Sequence, residues 1–145
     1  MDSQHAEQIE AALPGLVAAF YARVRQDPQL GPVFDDAVED WDHHLATLVD
    51  FWSSVMLASG RYKGNPTRVH LQHGARIGSE MFGRWLALWN QTTDEMMAPD
   101  VAAEMQAKAA RIAHSLDLAI HYRLPQKHPT VGKAIAYDPP PGSEM

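Results

Sequence analysis

The chain has no cysteine. That absence excludes disulfides, thiolate zinc sites, iron–sulfur ligation and the CxxCH motif of covalently attached cofactors, so any metal or cofactor must be held by histidine, carboxylate or packing. Basic residues are also scarce. Twelve Lys and Arg stand against eighteen Asp and Glu, for a formal net charge of -6, and no basic run tracks a phosphate backbone, so nucleic acid is not an expected partner. No apolar run approaches the roughly 18 residues of a membrane span, and the N-terminal MDSQHAEQIE is polar and acidic. The expectation is a cytoplasmic protein with no membrane partner.

What is present suffices for one buried core: 145 residues, 46% of them hydrophobic. Ile9, Leu13, Leu16, Val17, Phe20 and Val24 recur at helical spacing, and Pro14 inside that run predicts two helices, the second ending before Asp27-Pro28. The stretch DPQLGPVFDD, with two prolines and a glycine, predicts a corner with at most one helical turn around Phe34. Asp40 is placed to cap a helix carrying Trp41, Leu45, Leu48, Trp52 and Val55, with His44 on the same face and Gly60 as its stop. A further stripe runs through Ile77, Met81, Phe82, Trp85, Leu88 and Trp89, and another, after Ala98-Pro99, through Val101, Met105, Ile112, Leu116 and Ile120. Nothing alternates as a strand would. The fold class is all-α, with one domain over 1–124 and a Pro-rich, mobile tail over 125–145.

The segment GRYKGNPTRVHLQH, from Gly60 to His73, interrupts this pattern. Gly64 can close a turn, Asn65 can cap, and Pro66 is preset for the first helical position, so a short helix starts there and presents His70 in its second turn. A helix of about two turns buries too little to be justified by packing alone. Tyr21, His44, Trp52 and Trp85 likewise stand where plain hydrophobes would serve, and their buried O–H and N–H groups require partners. Singly, each has a plainer reading as core filler or a self-satisfied polar group. Together with His70 they describe an apolar pocket for a polar guest.

At these residues the sequence resembles the truncated haemoglobins, specifically group III. The resemblance runs from about Ile9 to Tyr122 and rests on FYARVRQDPQLGPVF (Phe20 to Phe34), HL at His44 and Leu45 with DFWSSVML (Asp50 to Leu57), YKGNPTRVH (Tyr62 to His70) and FGRWLALW (Phe82 to Trp89). The glycine pairs that mark groups I and II are not seen. The resemblance implies a two-over-two α-helical sandwich around non-covalent haem b. It implies His70 as proximal iron ligand, Tyr21, His44 and Trp85 as the distal ligand-stabilising set, and His44 as a possible sixth iron ligand. Phe20, Phe34, Trp52, Tyr62, Arg68 and Phe82 are the expected haem contacts, and Arg61 and Lys63 lie in the segment where propionates want cations. The doubled His43-His44 is resolved by Trp41, Leu45, Leu48 and Trp52, which select His44 as the inward one.

The implied function is binding of O2 and other diatomic ligands (NO, CO) at the iron. Two hydrogen-bond donors at about 1 kcal/mol each would slow oxygen loss by roughly ten- to a hundredfold, which suits redox chemistry on oxygen, NO or peroxide better than bulk oxygen transport. An NO dioxygenase or peroxidase-like activity would need an unidentified reductase. Two readings outside this class are a non-haem metal site built from His43, His44, His70 and His73, and a helical interaction module without haem. The Glu-x-x-His pairs of di-iron bundles are absent from the sequence.

Overall fold

The computed structural model describes residues 3–67, 70 and 77–121, and the 125–145 tail, Tyr122, Arg68 and His73 lie outside them. The described residues form four long helices and a short one: α1 (Ser3–Gln26), the short α2 (Leu30–Ala37), α3 (Trp41–Leu57), α4 (Ser79–Met96) and α5 (Pro99–His121). There is no strand among the described residues. Helix α1 pairs with α3, α4 pairs with α5, and α1 also packs on α4, giving the two-over-two sandwich expected from the sequence. Among the described residues no helix is long and apolar enough to cross a membrane.

The expected break at Pro14 does not occur; α1 is one helix with Pro14 inside it. A proline there forfeits one backbone hydrogen bond and crowds the preceding turn, at a cost of about 3 kcal/mol. Pro14 and Gly15 face solvent, where water can take the orphaned carbonyl. Meanwhile Ile9, Leu13, Leu16, Val17, Phe20 and Val24 are all buried on the opposite side. At about 1.5–3 kcal/mol per buried large apolar side chain, that continuous stripe outweighs the defect.

The expected corner at DPQLGPVFDD is also corrected: α2 is an eight-residue helix. Asp27 starts it, its Oδ1 accepting from the backbone N–H of Gln29 (2.8 Å) and Leu30 (2.9 Å). Pro32 lies in the first turn, where its missing N–H is not needed. Gly31 lets α2 lie against the end of α1, since a Cβ there would sit 2.5 Å from the Arg25 carbonyl oxygen.

Asp40 caps α3 as expected, accepting from His43 N–H at 3.2 Å. The helix stops at Ala58, which takes the left-handed conformation (φ 55°), two residues before the anticipated Gly60. Pro99 opens α5, and the Trp89 indole N–H donates to the Met105 carbonyl across the α4–α5 pair at 3.2 Å.

Candidate functional site

One cavity lies between the layers. Its volume is about 230 Å³. Tyr21 from α1, Leu30, Val33 and Phe34 from α2, and His44, Leu48, Phe51 and Trp52 from α3 form one side. Pro66, His70 and Ile77 from the segment before α4, Met81, Phe82 and Trp85 from α4, and Ile112, Ala113 and Leu116 from α5 complete it. The wall is overwhelmingly apolar, and its few polar groups converge from different elements, which is the usual composition of a cofactor site.

Tyr21 is 1% exposed and its Oη has no hydrogen-bond partner among the described residues. Burial pushes its phenol well above the usual range; the neighbouring Trp85 indole acts in the opposite sense without reaching hydrogen-bond geometry. The group therefore stays protonated, a donor held in the cavity wall. His44 is buried beside it, ring centroids 5.7 Å apart and nearly perpendicular. Trp41 closes the other side of His44, edge to face at 5.4 Å, with the Arg25 guanidinium lying 4.4 Å over the Trp41 ring.

Pro66, Thr67 and His70 are helical, as the Asn-Pro restart predicts. His70 Nδ1 lies 2.7 Å from the Pro66 carbonyl oxygen. A carbonyl can only accept, so Nδ1 carries the hydrogen in the neutral ring and Nε2 keeps its lone pair, the tautomer in which histidine ligates a metal. An apolar slot, an orphaned buried hydroxyl and an imidazole with its tautomer fixed together fit a largely apolar, metal-bearing planar group.

Of the residues predicted for the site, the cavity brings together Tyr21, His44, Trp85, Phe34, Trp52, Phe82 and His70. Phe20 and Tyr62 are not among its lining residues. Phe20 precedes Tyr21 by one residue, about 100° around the helix, and is fully buried against Tyr21, Trp85 and Trp89, behind the wall. Tyr62 stands edge-on to Phe51 at 5.1 Å and covers Gly64, where a Cβ would collide with its ring and hydroxyl. Burial raises the pKa of the Tyr62 phenol, and its Oη lacks a hydrogen-bond partner among the described residues.

Arg61 is already committed. It donates to both Glu10 oxygens (2.7 and 2.8 Å) and to Asp50 (3.1 Å), tying the segment after α3 back to α1. Ser53 joins that tie through Glu10 (2.9 Å) and Ser59 (2.8 Å), and the Tyr62 backbone N–H donates to Ser54 at 3.0 Å. Among the described residues no group of three or more His, Asp or Glu gathers where it could hold an ion.

The walls that sequence reasoning missed belong to α2 and α5. Leu30 and Val33 are read in the sequence as part of a corner, and Ala37 and Val38 are not singled out, because two prolines mask a helical period; Ala113 is not singled out because a small residue carries little signal alone. Ala102, Ala109 and Ala113, all buried on α5, mark the side on which that helix admits close neighbours.

No family model matches the chain. It is 30% identical over 108 residues to the group 3 truncated hemoglobin ctb of Campylobacter jejuni, an alignment taking in 72% of this chain and 84% of that protein. The crystal structure of group III truncated hemoglobin from Campylobacter jejuni matches with a TM-score of 0.71 at 27% identity, covering 80% of this chain and 94% of that one. Sequence, helical order and pocket thus converge, and the chain belongs to the group III truncated haemoglobins.

Proposed function

We propose that the cavity binds haem b non-covalently, with His70 as the proximal iron ligand, and that the loaded protein binds O2 and related diatomic ligands. When bound, the haem supplies an iron at which oxygen, NO, CO or peroxide can be held and reduced or oxidised. The observation that supports this reading is the Tyr21 hydroxyl, buried with no hydrogen-bond partner among the described residues in the wall of a cavity that His70 also lines in its ligating tautomer. The absence of cysteine limits attachment to ligation and packing.

The residues divide the work. His70, oriented by the Pro66 carbonyl, holds the metal, and Phe34, Trp52 and Phe82 supply apolar contact with Phe20 and Tyr62 behind them. Tyr21, His44 and Trp85 offer O–H and N–H donors to a ligand on which negative charge develops. In a water-poor pocket such donors are worth more than in bulk water and need no reorganisation when charge appears. His44 lines the same cavity and would offer a second imidazole to the iron. This donor set favours oxygen-linked redox chemistry, with a reductase to restore ferrous iron, over bulk oxygen delivery.

The test is the absorption spectrum of the haem-reconstituted protein in ferric, ferrous and ferrous-CO forms beside His70→Ala. Stoichiometric uptake with a ferrous-CO shift that His70→Ala weakens or alters is expected. A protein that takes up no haem overturns the reading and returns the fold to a non-haem site or an interaction module.

A further inference from the structure

We infer that Asp27 and Arg84 are positioning residues that set the spacing of Tyr21, Phe34 and Trp85 across the pocket. The inference rests on the proposed haem site and concerns how its donor wall is held.

Asp27 lies where α1 ends and α2 begins, with its side chain only 8% exposed. Its Oδ1 accepts from the backbone N–H of Gln29 and Leu30 and from Arg84 Nε (3.1 Å), while Oδ2 accepts from Arg84 Nη2 at 2.6 Å. One carboxylate thus joins three elements: α1, which carries Tyr21; α2, which carries Phe34; and α4, on which Trp85 follows Arg84 directly. A fork-shaped guanidinium held at two nitrogens fixes direction as well as distance. Because α4 turns about 100° per residue, fixing Arg84 fixes the azimuth of Trp85. The Arg84 guanidinium holds the Asp27 carboxyl down at about 2, so the clamp is charged throughout the physiological range.

A second arginine tie joins the same two helices farther along. Arg23 donates to Thr92 Oγ1 at 2.9 Å and pairs with Glu95. None of these three residues lines the cavity. The two ties make an internal comparison: both couple α1 to α4, and on α4 only the Asp27–Arg84 tie holds a residue next to Trp85, whereas Thr92 and Glu95 lie farther along the helix. Loss of either tie is expected to cost some stability, so stability alone does not separate them, and the geometry of the wall is the more informative property to measure.

The experiment uses haem-loaded protein carrying 5-fluorotryptophan, as wild type, Asp27→Asn, Arg84→Met, Arg84→Lys and Arg23→Met. Asp27→Asn keeps an oxygen for the Gln29 and Leu30 N–H groups while removing the charge, which separates the helix cap from the clamp. Two signals are read on the same samples: the C–O stretching band of the ferrous-CO form, which reports donors near the ligand, and the fluorine resonance of Trp85, assigned with Trp85→Phe. Asp27→Asn and Arg84→Met should shift or split both, Arg84→Lys should restore them in part, and Arg23→Met should lower the unfolding midpoint without moving either. Unchanged signals in Asp27→Asn and Arg84→Met overturn the inference, as does an equal displacement in Arg23→Met, which would mean general loosening. If wild type takes up no haem, the proposed function fails, and the Trp85 resonance alone then decides for or against the clamp.

Discussion

Replacing Tyr21 by phenylalanine should move stability and ligand retention in opposite directions. In the ligand-free protein the Tyr21 hydroxyl is buried in the cavity wall and has no hydrogen-bond partner among the described residues. Leaving such a group unsatisfied costs about 1–3 kcal/mol, and deleting it from a wall that already borders a cavity opens no new void in the close-packed core. Tyr21→Phe should therefore raise the unfolding free energy of ligand-free holoprotein by about 1 kcal/mol. With O2 bound, the hydroxyl donates to a partly charged acceptor, a bond worth about 1.5–3 kcal/mol, so its loss should speed oxygen dissociation by about ten- to a hundredfold. Urea unfolding of the ligand-free form and stopped-flow oxygen release on the same two proteins give both numbers. A destabilised Tyr21→Phe, or an unchanged release rate, would refute the assignment of this hydroxyl as a donor held ready for a ligand.

Gly31→Ala should destabilise by about 1–3 kcal/mol, because the added Cβ would lie 2.5 Å from the Arg25 carbonyl oxygen and 3.2 Å from its carbon, and backbone there cannot step aside cheaply. Glycine to alanine in an unobstructed helix does the reverse by up to about 1 kcal/mol, so a neutral or raised urea midpoint would count against the close α1–α2 approach. Acid should unpick the Asp27 clamp. With the folded pKa at about 2 against an ordinary 3.8, its contribution is complete above about pH 4 and is lost as pH falls through about 2. Wild type should accordingly lose more stability than Asp27→Asn between pH 4 and pH 2, as measured by urea unfolding at each pH, and superposable acid limbs would disprove it.

The site residues most legible in the sequence were those whose chemistry is costly without a reason. His44 on an apolar stripe, Tyr21 after Phe20 and Trp85 among hydrophobes are legible because a polar tip at a core position demands an explanation, and the cavity gathers all three. The Asn-Pro restart before His70 is legible because proline at a helix start removes a donor that would be orphaned anyway. Pro14 misled because the rule for proline inside a helix omits which side faces water, and α1 exposes that side. The α2 wall was illegible because its start depends on Asp27 reaching forward to two amides and on Gly31 meeting α1, both contacts made in three dimensions. Arg61 is the counterpart at the surface. Its position in the chain suggested an anion at the pocket mouth, while Glu10, fifty-one residues away, holds it from α1.

All four tryptophans of the chain share one neighbourhood. Trp52 stacks on Trp89 with centroids 4.3 Å apart, Trp85 lies parallel to Trp89 at 6.3 Å, and Trp41 stands against His44 and Tyr21. Trp52 and Trp85 line the cavity themselves. The ultraviolet emission of the protein is thus the emission of this single region. A light-absorbing guest in the cavity lies within energy-transfer range of every emitter at once, so its arrival and departure can be timed by the fading and return of native fluorescence, with no label attached.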